Sequence, residues 1–158
     1  MKLNKNQEFL SYLIFNHFGA ITITSIMKLA YLVDLVSIEK SSEQISDYKY
    51  IRYFYGPFAK EIKEDIESLL EKKVIKTEEI FFSSEVGTSV YKKASKDLDL
   101  NHISTKEKEL IDGCLNELRG FGAKMLTNLA YKTKPMVALG ATFHGNENLK
   151  KELNLFEK

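Results

Sequence analysis

The side chains that could do chemistry are few and scattered. His17, His102 and His144 lie far apart in the chain, and Cys114 is the sole cysteine. No pair among them has the close spacing that builds a zinc site. No phosphate-cradling loop, dinucleotide fingerprint or serine nucleophile elbow occurs. The carboxylates fall mostly beside lysines on polar helix faces, where they read as solvated charge. Cys114 sits in an apolar helical pattern and reads as a small buried side chain. His17 stands at a helix end, where a structural role is the simpler reading. The chain is therefore expected to be no enzyme and to carry no metal or cofactor.

The residues that do stand out are aromatic. Tyr48 to Tyr55 is rich in aromatic and β-branched side chains, which favour a strand. From Phe58 onward, Phe58, Ile62, Ile66, Leu69 and Leu70 mark one face of a helix. Between them stands Gly56-Pro57, a pair suited to a sharp turn and a helix start. Strand, turn and helix is the expected order. Strand alternation places Tyr48, Tyr50, Arg52 and Phe54 on one face and Lys49, Ile51, Tyr53 and Tyr55 on the other. One face should meet the core, and the other is free to meet a partner.

The elements that position this stretch are mostly helical. Asn4 to Phe18 shows an apolar stripe of Phe9, Leu10, Leu13, Ile14 and Phe18, with Gly19 as its stop. After the candidate caps Thr22, Thr24 and Ser25, the segment Ile26 to Ile38 is apolar around nearly its whole circumference, as a buried central helix would be. Asp34 on that helix needs a partner, since an unpaired buried carboxylate is costly. Lys28, Arg52 or a backbone N–H are the candidates. Ile80-Phe81-Phe82 and Val90-Tyr91 flank a polar turn containing Gly87, a hairpin signal. A helix followed by a hairpin gives the middle of the chain a winged-helix layout. Ser104 and Glu107 form a capping-box pattern ahead of Leu110, Ile111, Cys114, Leu115 and Leu118. A short helix with Met125, Leu126, Leu129 and Ala130 stops near Pro135. A weak helix follows from about Asn146, whose Leu149, Leu153 and Phe156 could dock on the body or on a partner.

Composition sets the class. At 158 residues, 44% hydrophobic and 28% charged, the chain fits one mainly α (α+β) domain, with a core over about 5–140 and a tail over 141–158. No apolar run approaches the length needed to span a bilayer, and no signal segment opens the chain, so a cytoplasmic location is expected. The net charge of +1 and the presence of only two arginines, Arg52 and Arg119, disfavour DNA as a partner. The helix ahead of the hairpin is also slightly acidic, whereas a reading helix in the major groove should be basic.

Three blocks together resemble a known family. Lys28, Leu29, Tyr31 and Asp34 resemble its "K-L-x-Y-x-x-D" helix. Tyr50 to Lys60, with Tyr55-Gly56-Pro57, resembles its aromatic strand and "YGP" turn. Ser104 to Lys134, with Glu107, Leu110, Leu129 and Tyr131, resembles its capped C-terminal helix and the short helix before a proline. The family is the Panacea domain, the SocA-like antitoxins often encoded on prophages and other mobile elements. The chain departs from the family at Pro135-Met136, where a Pro-Trp pair is common.

The resemblance implies a compact helical domain with a small β element. It also implies a non-enzymatic role, in which the chain binds and neutralises a cognate toxin protein or presents that protein to a protease. The candidate partner-binding residues are Tyr48, Tyr50, Arg52, Tyr53, Phe54 and Tyr55, with Gly56 and Pro57 as the structural turn. A winged-helix transcriptional regulator is the alternative, marked by a basic face near Lys60, Lys63, Lys92 and Lys93; the wing itself offers Lys92, Lys93 and Lys96 only on its far side.

Overall fold

A computed structural model describes residues 2–81, 87–94 and 98–158. The turn of the expected hairpin, including Phe82, and the wing residue Lys96 lie outside the described residues.

The chain is built around one helix. α1 (Lys5–Asn16) leads through β1 (Ile21–Thr22) into α2 (Ile23–Ser41). α2 starts earlier than its apolar run because the Thr22 hydroxyl accepts a hydrogen bond from the Ser25 amide at 3.2 Å, capping the first turn. Ile26, Met27, Leu29, Ala30, Tyr31, Leu32 and Val33 are all buried, as a helix apolar on nearly every side requires. α1 opens with a reciprocal cap between Asn4 and Gln7 and buries Phe9, Leu10, Leu13 and Ile14. Phe18 does not extend that stripe. It lies past the helix end, exposed, beneath the Arg119 guanidinium at 4.3 Å.

After α2 come β2 (Ile51–Tyr53), β3 (Gly56–Phe58) and α3 (Lys60–Glu71), which buries Ile62, Ile66 and Leu69. β4 (Ile75–Phe81) and β5 (Gly87–Lys93) follow. They pair antiparallel from Ile75 opposite Lys93 to Phe81 opposite Gly87. β1 adds to β5, with Ile21 opposite Tyr91, giving a three-stranded sheet in the order β1-β5-β4. Helix, strand, two helices and a hairpin packed on that first strand is the winged layout expected. α4 (Thr105–Glu117) begins at the capping box, with the Ser104 hydroxyl accepting from the Glu107 amide at 3.0 Å and the Glu107 carboxylate accepting from the Ser104 amide at 2.9 Å. α5 (Ala123–Tyr131) and α6 (Lys134–Ala138) complete the helices, and Pro135 stands near the start of α6.

The aromatic stretch differs from expectation. Regular strand is confined to Ile51–Tyr53, and the chain reverses at Phe54-Tyr55, before Gly56-Pro57. Gly56-Pro57-Phe58 then runs back as β3, with Tyr53 opposite Gly56 and Arg52 opposite Pro57. Gly56 has φ +106°, a region where any side chain would be strained. Proline is tolerated in β3 because Arg52, opposite it, turns its own N–H and C=O to the other edge. There the Arg52 amide donates to the Lys151 carbonyl at 2.8 Å, and its carbonyl accepts from the Lys150 amide at 2.6 Å. The pair is thus a non-hydrogen-bonded one, and no ladder bond is lost.

The tail supplies that other edge, so it is not the weak helix expected from Asn146. Asn148 and Lys150 take φ of 55° and 67°, outside the helical region. The Leu153 amide donates to the Tyr50 carbonyl at 2.8 Å, and Ile51 bridges to Glu152. Unpaired groups on the edge of β2 outcompete a weak helical tendency. Leu153 and Leu155 dock in the core while Phe156 stays exposed. Arg52 pins the loop before the tail: its fully buried guanidinium donates to the carbonyls of Tyr53, Thr142 (2.9 Å) and Gly145 (2.8 Å).

Arg52→Met keeps the stem but removes those donors. The expected result is a loss of about 2 kcal/mol in urea unfolding, the worth of hydrogen bonds from one buried charge. Amide exchange at Lys150 and Leu153 should quicken; unchanged exchange there would show that the loop does not depend on Arg52.

Candidate functional site

Three polar or aromatic positions of α2 organise the aromatic hairpin from below. Asp34 is fully buried and uses both carboxylate oxygens. It accepts from the backbone amides of Ile45 (3.1 Å) and Ser46 (3.0 Å), the Ser46 hydroxyl, the Tyr50 hydroxyl (2.8 Å) and the Gln44 amide group (3.4 Å). Of the three candidate partners, then, backbone N–H groups hold Asp34, and Lys28 and Arg52 do not. Burial pushes its pKa up to about 6, against the opposing pull of the Ser46, Tyr50 and Ile45 donors.

Lys28 lies nearer the start of the helix. It is 4% exposed, and its ammonium donates to the Pro57 carbonyl at 2.9 Å. Burial lowers its pKa to about 8. Tyr31 donates to or accepts from the Thr133 hydroxyl at 2.7 Å, beside the start of α6, and meets the Tyr50 ring edge-on at 5.4 Å. Burial raises its pKa to about 12. Leu29 is core. All four family-motif residues are therefore internal supports.

The expected partner-binding residues divide into two sets. Tyr48, Tyr50 and Arg52 are buried. The Tyr48 hydroxyl donates to Asp65 at 2.6 Å, and burial together with that carboxylate raises its pKa strongly. Their side chains face the interior and offer no surface. Tyr53, Phe54 and Tyr55 form the hairpin tip, with Phe54 47% and Tyr55 69% exposed. Sequence reasoning placed Phe58 on the following helix. Instead it is in β3, stacked on Tyr53 with ring centroids 4.7 Å apart. Lys63 of α3 lies over the Phe58 ring at 5.3 Å. On the other flank, the Tyr131 hydroxyl donates to the Phe54 carbonyl at 3.3 Å, and Tyr131 meets the exposed Phe143 edge-on at 5.9 Å. Nothing in the spacing of Lys63 or Phe143 signals this position, because both arrive from separate elements. Between α2 and the hairpin lies a cavity of about 180 Å³ lined by Ile23, Thr24, Met27, Lys28, Tyr53, Tyr55, Gly56, Phe58 and Lys63.

The histidines stay apart. His17 contacts the Gly19 carbonyl, His102 pairs with Glu8, and His144 lies against Phe143. Cys114 is buried, which raises its thiol pKa. Among the described residues no group of three or more His, Cys, Asp or Glu side chains is placed to hold a metal ion, and no helix is long and apolar enough to cross a membrane.

The family described as antitoxin SocA-like, Panacea domain, matches residues 26–135, which is more than half of the chain. The chain belongs to this family. The matched span contains α2 from Ile26 onward with its four motif residues, the whole aromatic hairpin, and α3 with β4 and β5, and it ends at Pro135. No curated protein and no solved structure matches the chain. The Panacea segment thus has its motif residues turned inward and its aromatic tip turned outward.

Two variants test the supports. Asp34→Asn keeps the shape but offers one acceptor oxygen to donors that now meet two. It should cost about 2–4 kcal/mol in urea unfolding, since buried donors are left unpaired. Lys28 has a folded pKa of about 8 against 10.5 in the unfolded chain, so the unfolded state binds more protons between those values and stability rises with pH there. Lys28→Met should be at least as stable as the parent near neutral pH. Its advantage should shrink as pH rises from about 8 towards 10.5. A constant difference across that range would show that Lys28 is not held at a burial cost.

Proposed function

We propose that this Panacea domain is a non-enzymatic antitoxin that binds and neutralises a cognate toxin protein, with the hairpin tip as the docking surface. The observation that carries this reading is the exposure of Phe54 and Tyr55 on a hairpin anchored to the core at Lys28, Asp34 and Arg52. Exposed aromatic side chains on a rigid support make good interface anchors, because little freedom is lost on binding. The family to which the chain belongs supports an antitoxin-like role. Presenting the bound protein to a protease is the adaptor form of the same function. In either form the partner is a protein met in the cytoplasm, and a toxin gene beside this one on a mobile element is the natural source.

The winged layout favours a second reading, a DNA-binding regulator, but the charges oppose it. The exposed face of α3 carries Lys60 and Lys63 against Glu64, Glu67 and Glu71. In the described part of the wing, Lys92 pairs with Glu78 at 3.1 Å and Lys93 sits over Phe15 at 4.9 Å. Cations already engaged in this way release little counterion on meeting phosphate.

The test is co-expression of the tagged chain with its two flanking genes, followed by capture. A stoichiometric partner that stops growth when expressed alone is expected. Phe54→Ala and Tyr55→Ala should each weaken capture about tenfold, as truncation of an interface anchor does, with an unchanged melting temperature. Return of the bait alone, with neither flanking gene toxic, would overturn the reading. Salt-sensitive binding to duplex DNA in that case would favour the regulator.

A further inference from the structure

Two cations are buried beneath the hairpin without a carboxylate. Among the described residues neither Lys28 nor Arg52 takes part in an ion pair. Lys28 has three ammonium donors, and the bond to Pro57 uses one of them. Arg52 donates to three neutral carbonyls and meets the Tyr131 side chain, its guanidinium 5.7 Å from that ring centre, while its Nε lacks a hydrogen-bond partner. Asp34, the buried carboxylate of the same helix, is already occupied by donors from Gln44, Ile45, Ser46 and Tyr50. Neither cation therefore has a carboxylate in contact: Asp34 keeps its charge but turns both oxygens to neutral donors. An unpaired buried charge is costly, and an arriving carboxylate would offset that cost.

We propose that the cavity between α2 and the hairpin is a socket for an acidic side chain of the partner protein, with Lys28 as its ion-pair residue. The proposal rests on the antitoxin reading of the hairpin surface and names what that surface recognises. Lys28 is part of the cavity lining, and so are the aromatic side chains of Tyr53, Tyr55 and Phe58. The largely apolar walls lower the local dielectric, which strengthens a charge contact there. Gly56 keeps the approach to the lysine clear. A Cβ there would stand 3.4 Å from Lys28 Cε and 3.7 Å from its Nζ. Lys63 lines the same cavity and adds an exposed cation that steers an anion towards it. Size selects the occupant. The volume of about 180 Å³ is below the roughly 300 Å³ at which pockets for free small ligands begin. It suits one side chain delivered by a larger surface. A glutamate or aspartate on a protruding loop of the toxin, flanked by contacts to Phe54 and Tyr55, meets these conditions.

The test uses the full chain and a neutral blocked peptide, acetyl-Gly-Glu-Gly-amide, with its Gln counterpart and acetate as controls. Nuclear magnetic resonance follows the Lys28 Cε–Hε signal and the amides of Gly56 and Phe58. Saturable shifts are expected with the Glu peptide and not with the Gln peptide. They should vanish in Lys28→Met and weaken about two- to fivefold in Lys63→Gln, the worth of an exposed charge pair. Lys63 is exposed, so that second variant does not depend on the first one folding. Shifts that persist in Lys28→Met, shifts absent with the Glu peptide, or acetate binding as tightly as the peptide would each overturn the socket. The titration needs no toxin. Lys28-dependent shifts without any captured toxin would keep the socket and remove the antitoxin reading. Toxin captured equally by the parent and Lys28→Met, with no peptide shifts, would do the reverse.

Discussion

The carboxylate of Asp34 holds the segment that leads into the hairpin. An ionised group removed from water is unfavourable by several kcal/mol unless its lone pairs are filled. Here they are filled by donors from one short stretch: Gln44, Ile45, Ser46 and Tyr50. That stretch has little regular structure of its own, so the buried charge substitutes for a ladder. Its position in turn places Tyr48 against Asp65 of α3 and Tyr50 against Tyr31 of α2. The aromatic stretch is thereby fastened to two helices before it becomes a strand.

α2 works as a ruler. At about 1.5 Å per residue, Lys28 and Asp34 are separated by roughly 9 Å along the axis. Lys28 holds β3 through Pro57, and Asp34 holds the approach to β2 through Tyr50. Tyr31, between them, holds the α5–α6 junction through Thr133. Three segments distant in sequence are thus tied to one rigid element. The tail closes the remaining edge of β2, with Arg52 donating sideways to the loop at Thr142 and Gly145. A hairpin held on so many sides can present Phe54 and Tyr55 with little motion of its backbone, which suits recognition of a folded protein surface.

The middle of the chain shows why layout and activity are separate questions. Its connectivity matches a winged helix, yet α3 presents more carboxylates than lysines, and wing lysines are engaged with Glu78 and the Phe15 ring. The same scaffold serves here to carry the aromatic hairpin inserted between α2 and α3. Two buried cations beside that hairpin, Lys28 and Arg52, have no ion-pair partner among the described residues, while the chain as a whole is near neutral.

Much of the architecture was legible from local pattern. The apolar circumference of α2 and the stripes of α1 and α3 are periodic patterns readable within a few turns, and the Ser104–Glu107 cap is an interaction three residues long. The family blocks were legible too, because their residue types and spacing are local. What the linear pattern left open was decided by contacts between distant segments. Alternation divided Tyr48–Tyr55 into two faces but did not say which was inside; burial of Tyr48, Tyr50 and Arg52 against α2, α3 and the tail decided that. The turn moved from Gly56-Pro57 to Phe54-Tyr55 because β2 found two partners, β3 on one edge and the tail on the other. The tail became extended because the open edge of β2 offered hydrogen bonds that a weak helix could not match. Its own sequence sets its helical tendency. The unpaired edge it meets, formed some 100 residues earlier, exists only once the chain has folded.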